Sequence, residues 1–106
     1  MENLKPIKGD IILCVSITKL LDERESLYES TRKYWKHKLE YVKQATHVAG
    51  IYKGVVKIVF DDMEWKYTEN EEWKGRVEFS SKHPNGIASP YLGKYIRMVG
   101  ATRMLR

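Results

Sequence analysis

The chain has one cysteine, Cys14, in 106 residues, so no internal disulfide can form within it. A lone thiol also cannot supply the paired thiolates of a structural zinc site. Cys14 sits in the apolar run Ile11-Ile12-Leu13-Cys14-Val15, where a buried, inert thiol is expected rather than a nucleophile. Such sparse cysteine fits a reducing compartment. Long apolar runs are missing as well. The segment Met1-Glu2-Asn3-Leu4-Lys5-Pro6 has no apolar signal-peptide core, and no stretch has the length needed to span a bilayer. The expectation is a cytoplasmic protein with no membrane association. Catalytic signatures are absent too. His37, His47 and His83 have no metal-ligand spacing, and neither a GxSxG elbow nor a phosphate-cradling glycine loop occurs. No catalytic residue, metal or cofactor is assigned, and the chain reads as a non-enzyme. No repeat, linker or low-complexity tract divides residues 1–106, which suits a single domain with one modest core.

What is present is charge, unevenly spread. Lys and Arg outnumber Asp and Glu by 19 to 14, a net charge of +5. Asp61, Asp62, Glu64, Glu69, Glu71 and Glu72 crowd one short stretch against Lys66 alone. Positive charge collects on Arg32, Lys33, Lys36, Lys38 and Lys43, and again on Lys94, Arg97, Arg103 and Arg106. A basic face opposite an acidic one attracts phosphates through counterion release. The plainer reading of the same charges is a solvated helix face.

Periodicity supplies the elements. Gly9-Asp10 precedes an apolar, β-branched run over 11–17, read as a buried strand. Ser26-Leu27-Tyr28-Glu29 fits a capping box. The helix it opens is expected to run to about residue 44, with a break near His37, and to place Leu27, Thr31 and Tyr34 on one apolar stripe. Residues 46–52 and 55–60 are strands joined at Lys53-Gly54 as a hairpin. In the second of these, Val56, Ile58 and Phe60 are expected on one face and Val55, Lys57 and Val59 on the other. Residues 61–74 read as an exposed excursion long enough to be functional. Strand character resumes over 75–80, and His83-Pro84-Asn85-Gly86 is a strong turn signal. A helical turn is expected over 90–94, ending at Gly93, and a last strand over 95–99 ahead of a basic tail. The sum is an α+β fold: a small, mostly antiparallel open β-barrel with one principal helix packed against it.

Two kinds of side chain invite a functional reading. Asp61-Asp62 reads as an acidic turn at a strand end. With Glu78, which would pair with Arg76 or Arg32 if it faced inward, it is the basis on which a hydrolase or nuclease would rest. Trp35, Trp65 and Trp73 are more informative, because tryptophan in a loop is costly to expose unless it packs or binds. Aromatics beside arginine are the usual means of stacking a base and holding its phosphate. Trp65 and Trp73 either clamp the loop to the barrel or form a cage, and Trp35 reads as core.

The pieces Leu27-Tyr28-x-x-Thr31-Arg32-x-Tyr34-Trp35, Val48-x-x-Ile51-Tyr52-x-Gly54-Val55-Val56, Gly75-Arg76-x-Glu78-Phe79 and Tyr91-x-Gly93-Lys94 form a set that resembles small bacterial and phage proteins of unassigned function. Those proteins look like relatives of the PUA-like superfamily, with its EVE, ASCH and YTH domains. The likeness spans about residues 11–96. It implies an open barrel with a groove that receives a base, often a modified one, between aromatic side chains. The matching positions are Tyr28, Thr31, Arg32, Trp35, Tyr52, Trp65, Arg76 and Lys94. The chain departs in two places: it lacks the Asn-Pro segment such proteins carry near the end, and its stretch after Phe60 is short and acidic.

The leading expectation is a non-catalytic module that binds a nucleotide, or a base within nucleic acid, through Trp65 and Trp73 as stacking surfaces and Arg32, Arg76 and Lys94 as phosphate or base-edge contacts. The alternative is a phage-type inhibitor or protein-interaction module. Its acidic stretch would mimic nucleic acid to a host protein, or the module would sequester a defence signalling nucleotide.

Overall fold

The computed structural model describes residues 2–24 and 26–106. Among these residues, six strands and two short helices make an α+β arrangement rich in antiparallel pairing. The first strand, β1 (Ile12–Ser16), is buried along nearly its whole length. Leu13 and Val15 face one apolar cluster, Ile12 and Cys14 another, so this strand is covered on both sides. That explains why its sequence is a continuous apolar run rather than an alternating one. Burial pushes the Cys14 thiol up to about 12, which makes it the inert thiol expected.

Two further strands, β2 (His47–Tyr52) and β3 (Val55–Phe60), form the hairpin around Lys53-Gly54. Lys53 and Gly54 have φ of 49° and 82°, the left-handed pair that a tight two-residue hairpin turn requires. The register slips between Gly50 and Ile51: Ile58 faces Gly50 and Val56 faces Ile51, leaving Lys57 as the extra residue. This bulge corrects the simple alternation expected for the strand. Ile58 and Phe60 enter one cluster, while Val56 joins Val59 in the other, because an inserted residue reverses the facing of everything beyond it.

The expected long helix is instead two short ones, α1 (Leu27–Arg32) and α2 (Leu39–Val42). Half of the capping box forms: the Ser26 hydroxyl accepts from the Glu29 N–H at 3.1 Å, while the Glu29 carboxylate lies on Lys33 at 2.8 Å and Arg32 at 3.4 Å. Between the helices the backbone is extended, and Trp35 exchanges two backbone hydrogen bonds with Val77, at 3.0 and 2.9 Å. The tertiary pairing overrides helical periodicity there, so Tyr34 lies off the apolar stripe. Gly50 lets α1 approach β2, since a Cβ at that position would sit 2.6 Å from the Thr31 hydroxyl.

The stretch read as an exposed excursion is an ordered hairpin. Its strands are β4 (Glu64–Tyr67) and β5 (Val77–Ser80), with a 3-10 turn at Glu71–Trp73 between them. Together they form a separate two-stranded sheet, which Trp35 borders. The tail also departs from expectation. Tyr95 makes only isolated bridges, to Asn3 and Val55, and the last strand is β6 (Thr102–Leu105), antiparallel to β1. The main sheet therefore runs β3-β2-β1-β6, with β1 and β2 parallel. Among the described residues the two sheets do not join into a closed barrel, and no helix is long and apolar enough to cross a membrane.

Candidate functional site

A cleft of about 730 Å³ opens between the loop after β1, the extended link between the helices, the 3-10 turn and the start of β6. Its aromatic wall is built by Tyr34, Trp35 and Trp73, and its cations are Lys19, Arg24, Lys36 and Arg76. No Asp or Glu lines it among the described residues. Nor does any of the four cations have a carboxylate within ion-pair distance among those residues. Cations facing one cavity create a positive potential that low-dielectric walls strengthen.

Each wall residue is held by its own local structure. The Trp35 indole is buried and donates from Nε1 to the Thr31 carbonyl at 2.8 Å. Trp73 stacks on Tyr34, with ring centroids 5.5 Å apart and planes 12° from parallel. Asn70 caps the 3-10 turn by accepting from the Glu72 N–H at 3.0 Å, and its amide also donates to the Tyr34 hydroxyl at 3.3 Å. The Arg76 guanidinium lies over the Trp73 ring at 5.0 Å and donates to the Tyr34 carbonyl at 3.4 Å. Arg24 lies over the Tyr34 ring at 5.4 Å and donates to the Lys33 carbonyl. Burial lowers the Arg24 pKa from its ordinary value, against the pull of Tyr34, Glu23 and Glu29. An arginine remains charged regardless, so an anion arriving here meets a partly desolvated cation. His37 completes the rim, its Nε2 within 2.8 Å of the Thr102 hydroxyl. Burial lowers its pKa, so the ring is neutral near pH 7.

Of the residues singled out from sequence, Trp35, Trp73 and Arg76 meet in this cleft. The others do not join them. Tyr28 packs on Phe60 and Phe79, its hydroxyl accepting from the Ser81 N–H. Thr31 is buried and returns its hydroxyl to the Leu27 carbonyl. Tyr52 packs on the core with Lys53 over its ring, and Lys94 pairs with Glu2 at 2.8 Å.

Arg32 lines a second groove, with Lys43, Glu64, Trp65 and Lys66. Its guanidinium is already committed there: Nε donates to the Phe79 carbonyl at 2.8 Å, and its terminal nitrogens reach Glu29 at 3.4 Å and Glu78 at 3.5 Å. Glu78 thus faces inward and takes Arg32, with Lys66 at 4.0 Å, and not Arg76. Trp65 is core, edge-on to Phe79 at 4.9 Å, so it clamps its hairpin and lines no cage in the cleft. Its Nε1 has no hydrogen-bond partner among the described residues. Asp62 is a turn former, accepting from the Ser81 hydroxyl at 2.6 Å and the Lys82 N–H at 2.8 Å. Burial would raise its pKa, but these bonds and the nearby His83 outweigh that and lower it.

Lys19, Arg24, Tyr34, Lys36 and His37 are the charged and aromatic cleft residues that sequence reasoning did not assign to a site. Two carried a signal: Tyr34 in the Tyr-Trp pair, which helical periodicity assigned to packing, and Lys36 in the basic run from Arg32 to Lys43, which reads equally as a solvated helix face. No family model matches the chain, and no curated protein or solved structure matches it significantly.

Proposed function

We propose that the chain is a binding module for a nucleotide, free or as part of a nucleic acid, and that the cleft between Tyr34, Trp73 and Arg76 is where it binds. One observation carries this reading: Lys19, Arg24, Lys36 and Arg76 line a single cavity with stacked aromatics and without a carboxylate among the described residues. Phosphates would neutralise the cations. A base would extend the Tyr34–Trp73 stack in the place that the Arg76 guanidinium now covers, with Arg76 turning to the phosphate. Each stacked base contributes about 1–3 kcal/mol. On this reading the two sheets are the walls of an open, PUA-like barrel, and the chain binds without catalysing.

Arg32 and Lys94, assigned to phosphate contacts from sequence, are replaced in this role by Arg24 and Lys36, because carboxylates already hold the first two. The test is a melting-temperature screen against mononucleotides and single-stranded oligonucleotides, since a ligand bound only by the native state raises its melting temperature. The expected result is a rise that Arg24→Ala with Arg76→Ala lowers at least about tenfold in affinity. A flat screen across all nucleotides would remove the reading.

The inhibitor reading keeps one observation in its favour. Glu64, Glu69, Glu71 and Glu72 are all exposed on the β4–β5 hairpin, and Asp61 is exposed just ahead of it. Of the two tryptophans beside this acidic stretch, Trp65 is buried and offers no surface to a partner, while Trp73 is half-buried.

A further inference from the structure

The cleft does not end at His37. A second hollow of about 530 Å³ adjoins it and shares Lys36 and His37. Its wall continues through Lys38 at the start of α2, Tyr41 within it and Gln44 just beyond it, with Glu40 as the one carboxylate lining it among the described residues. The Tyr41 ring stacks on the His37 imidazole, 4.8 Å between centroids and 29° between planes. Aromatic surface therefore passes from one hollow into the next. At the far end Gln44 accepts from the Arg106 guanidinium at 2.6 Å, which brings another cation to the rim. Lys36 and Lys38 are exposed and have no carboxylate within ion-pair distance among the described residues.

We propose that the two hollows are successive subsites for one single strand of nucleic acid, an inference that rests on the nucleotide reading of the cleft. The first nucleotide occupies the cleft against Trp73. The strand then crosses the Lys36–His37 ridge, where Lys36 and Lys38 meet the connecting phosphate, and the next base lies beside Tyr41 and Gln44. A duplex is excluded from this arrangement, because paired and stacked bases offer no free face to an aromatic wall. A mononucleotide fills only half of the site.

The experiment is a titration of the whole chain, followed by tryptophan fluorescence, with nucleoside monophosphates and with tetranucleotides of DNA and of RNA. A tetranucleotide of at least one of the two sugars is expected to bind about tenfold or more tighter than its mononucleotide, with a steeper fall as salt is added. Lys38→Ala with Gln44→Ala, both exposed side chains, is expected to remove most of that gain while leaving mononucleotide affinity and melting temperature unchanged. Equal affinity for mononucleotide and tetranucleotide overturns the second subsite and leaves the cleft reading standing. So does a length gain untouched by the double substitution. Binding of neither ligand overturns both.

Discussion

Arg32 and Arg76 look alike in sequence, and each lies over an aromatic ring beside the second sheet: Arg32 over Tyr28 at 5.4 Å, Arg76 over Trp73 at 5.0 Å. Their partners separate them. Arg32 is closed off by Glu29, Glu78 and the Phe79 carbonyl, whereas among the described residues Arg76 has a single weak acceptor, the Tyr34 carbonyl. The same contrast divides the two indoles. Trp65 is packed edge-on to Phe79 in the core, and Trp73 is stacked at a cavity wall. A guanidinium beside a ring is thus no mark of a ligand site in itself. What distinguishes the cleft is that, among the described residues, no carboxylate lines it or lies within ion-pair distance of its cations.

The comparison is sharpest in stability. Trp65→Ala removes a buried indole and leaves a cavity, at an expected cost of about 3–5 kcal/mol in chemical denaturation. Trp73→Ala gives up a stacked pair worth about 1 kcal/mol beyond its buried area. Equal losses would mean that Trp73 is core as well. For the arginines, Arg32→Ala leaves Glu78 nearly buried without its main partner, an expected loss of about 3 kcal/mol, with Arg32→Ala, Glu78→Gln recovering part of it. Arg76→Ala should stay within about 0.5 kcal/mol of wild type while lowering affinity for phosphate-bearing ligands. If Arg32→Ala weakened such binding in a protein of unchanged stability, the distinction between the two arginines would fail.

The smallest effect is expected at His37. Burial lowers its folded pKa below the unfolded 6.5, so the unfolded chain binds the proton more readily. Its contribution to stability is full above 6.5 and declines as pH falls from there through the folded pKa. His37→Gln should flatten that part of the melting-temperature profile. The carboxylates Glu29 and Asp62, whose pKa values are lowered from 4.5 and 3.8, begin to lose their contribution only below those values, so the His37 decline starts first as pH falls. Protonated His37 adds a cation to the rim, and anion affinity should rise over the same interval in which stability falls.

Much of this fold is readable from local sequence. The buried β1, the Lys53-Gly54 hairpin, the Ser26 cap and the turn closed by the Gly86 N–H on the His83 carbonyl at 2.8 Å each follow from a few neighbouring residues. What escaped was set by distant ones. Trp35 is drawn out of a helical pattern by Val77, and Lys57 is made a bulge by its register against Gly50. Residues 102–105 become a strand only because β1 offers them an edge. The site followed suit. Trp73 and Arg76 were visible as residue types, but Arg24 and Lys36 acquire meaning only when the extended link brings them to the same cavity.

The pairing of β1 with β6 joins Ile12 to Leu105 and Val15 to Thr102, and the Ser16 N–H reaches the Ala101 carbonyl at 2.8 Å beside the cleft. Such contacts close one of the longer loops in the molecule, and contacts of large sequence separation form slowly. During synthesis β1 must wait, apolar on both faces, until residues 102–105 have been made before its second edge is filled. The cleft wall formed by residues 100–102 waits with it, so the cleft is complete only once residue 102 has joined the first strand's edge.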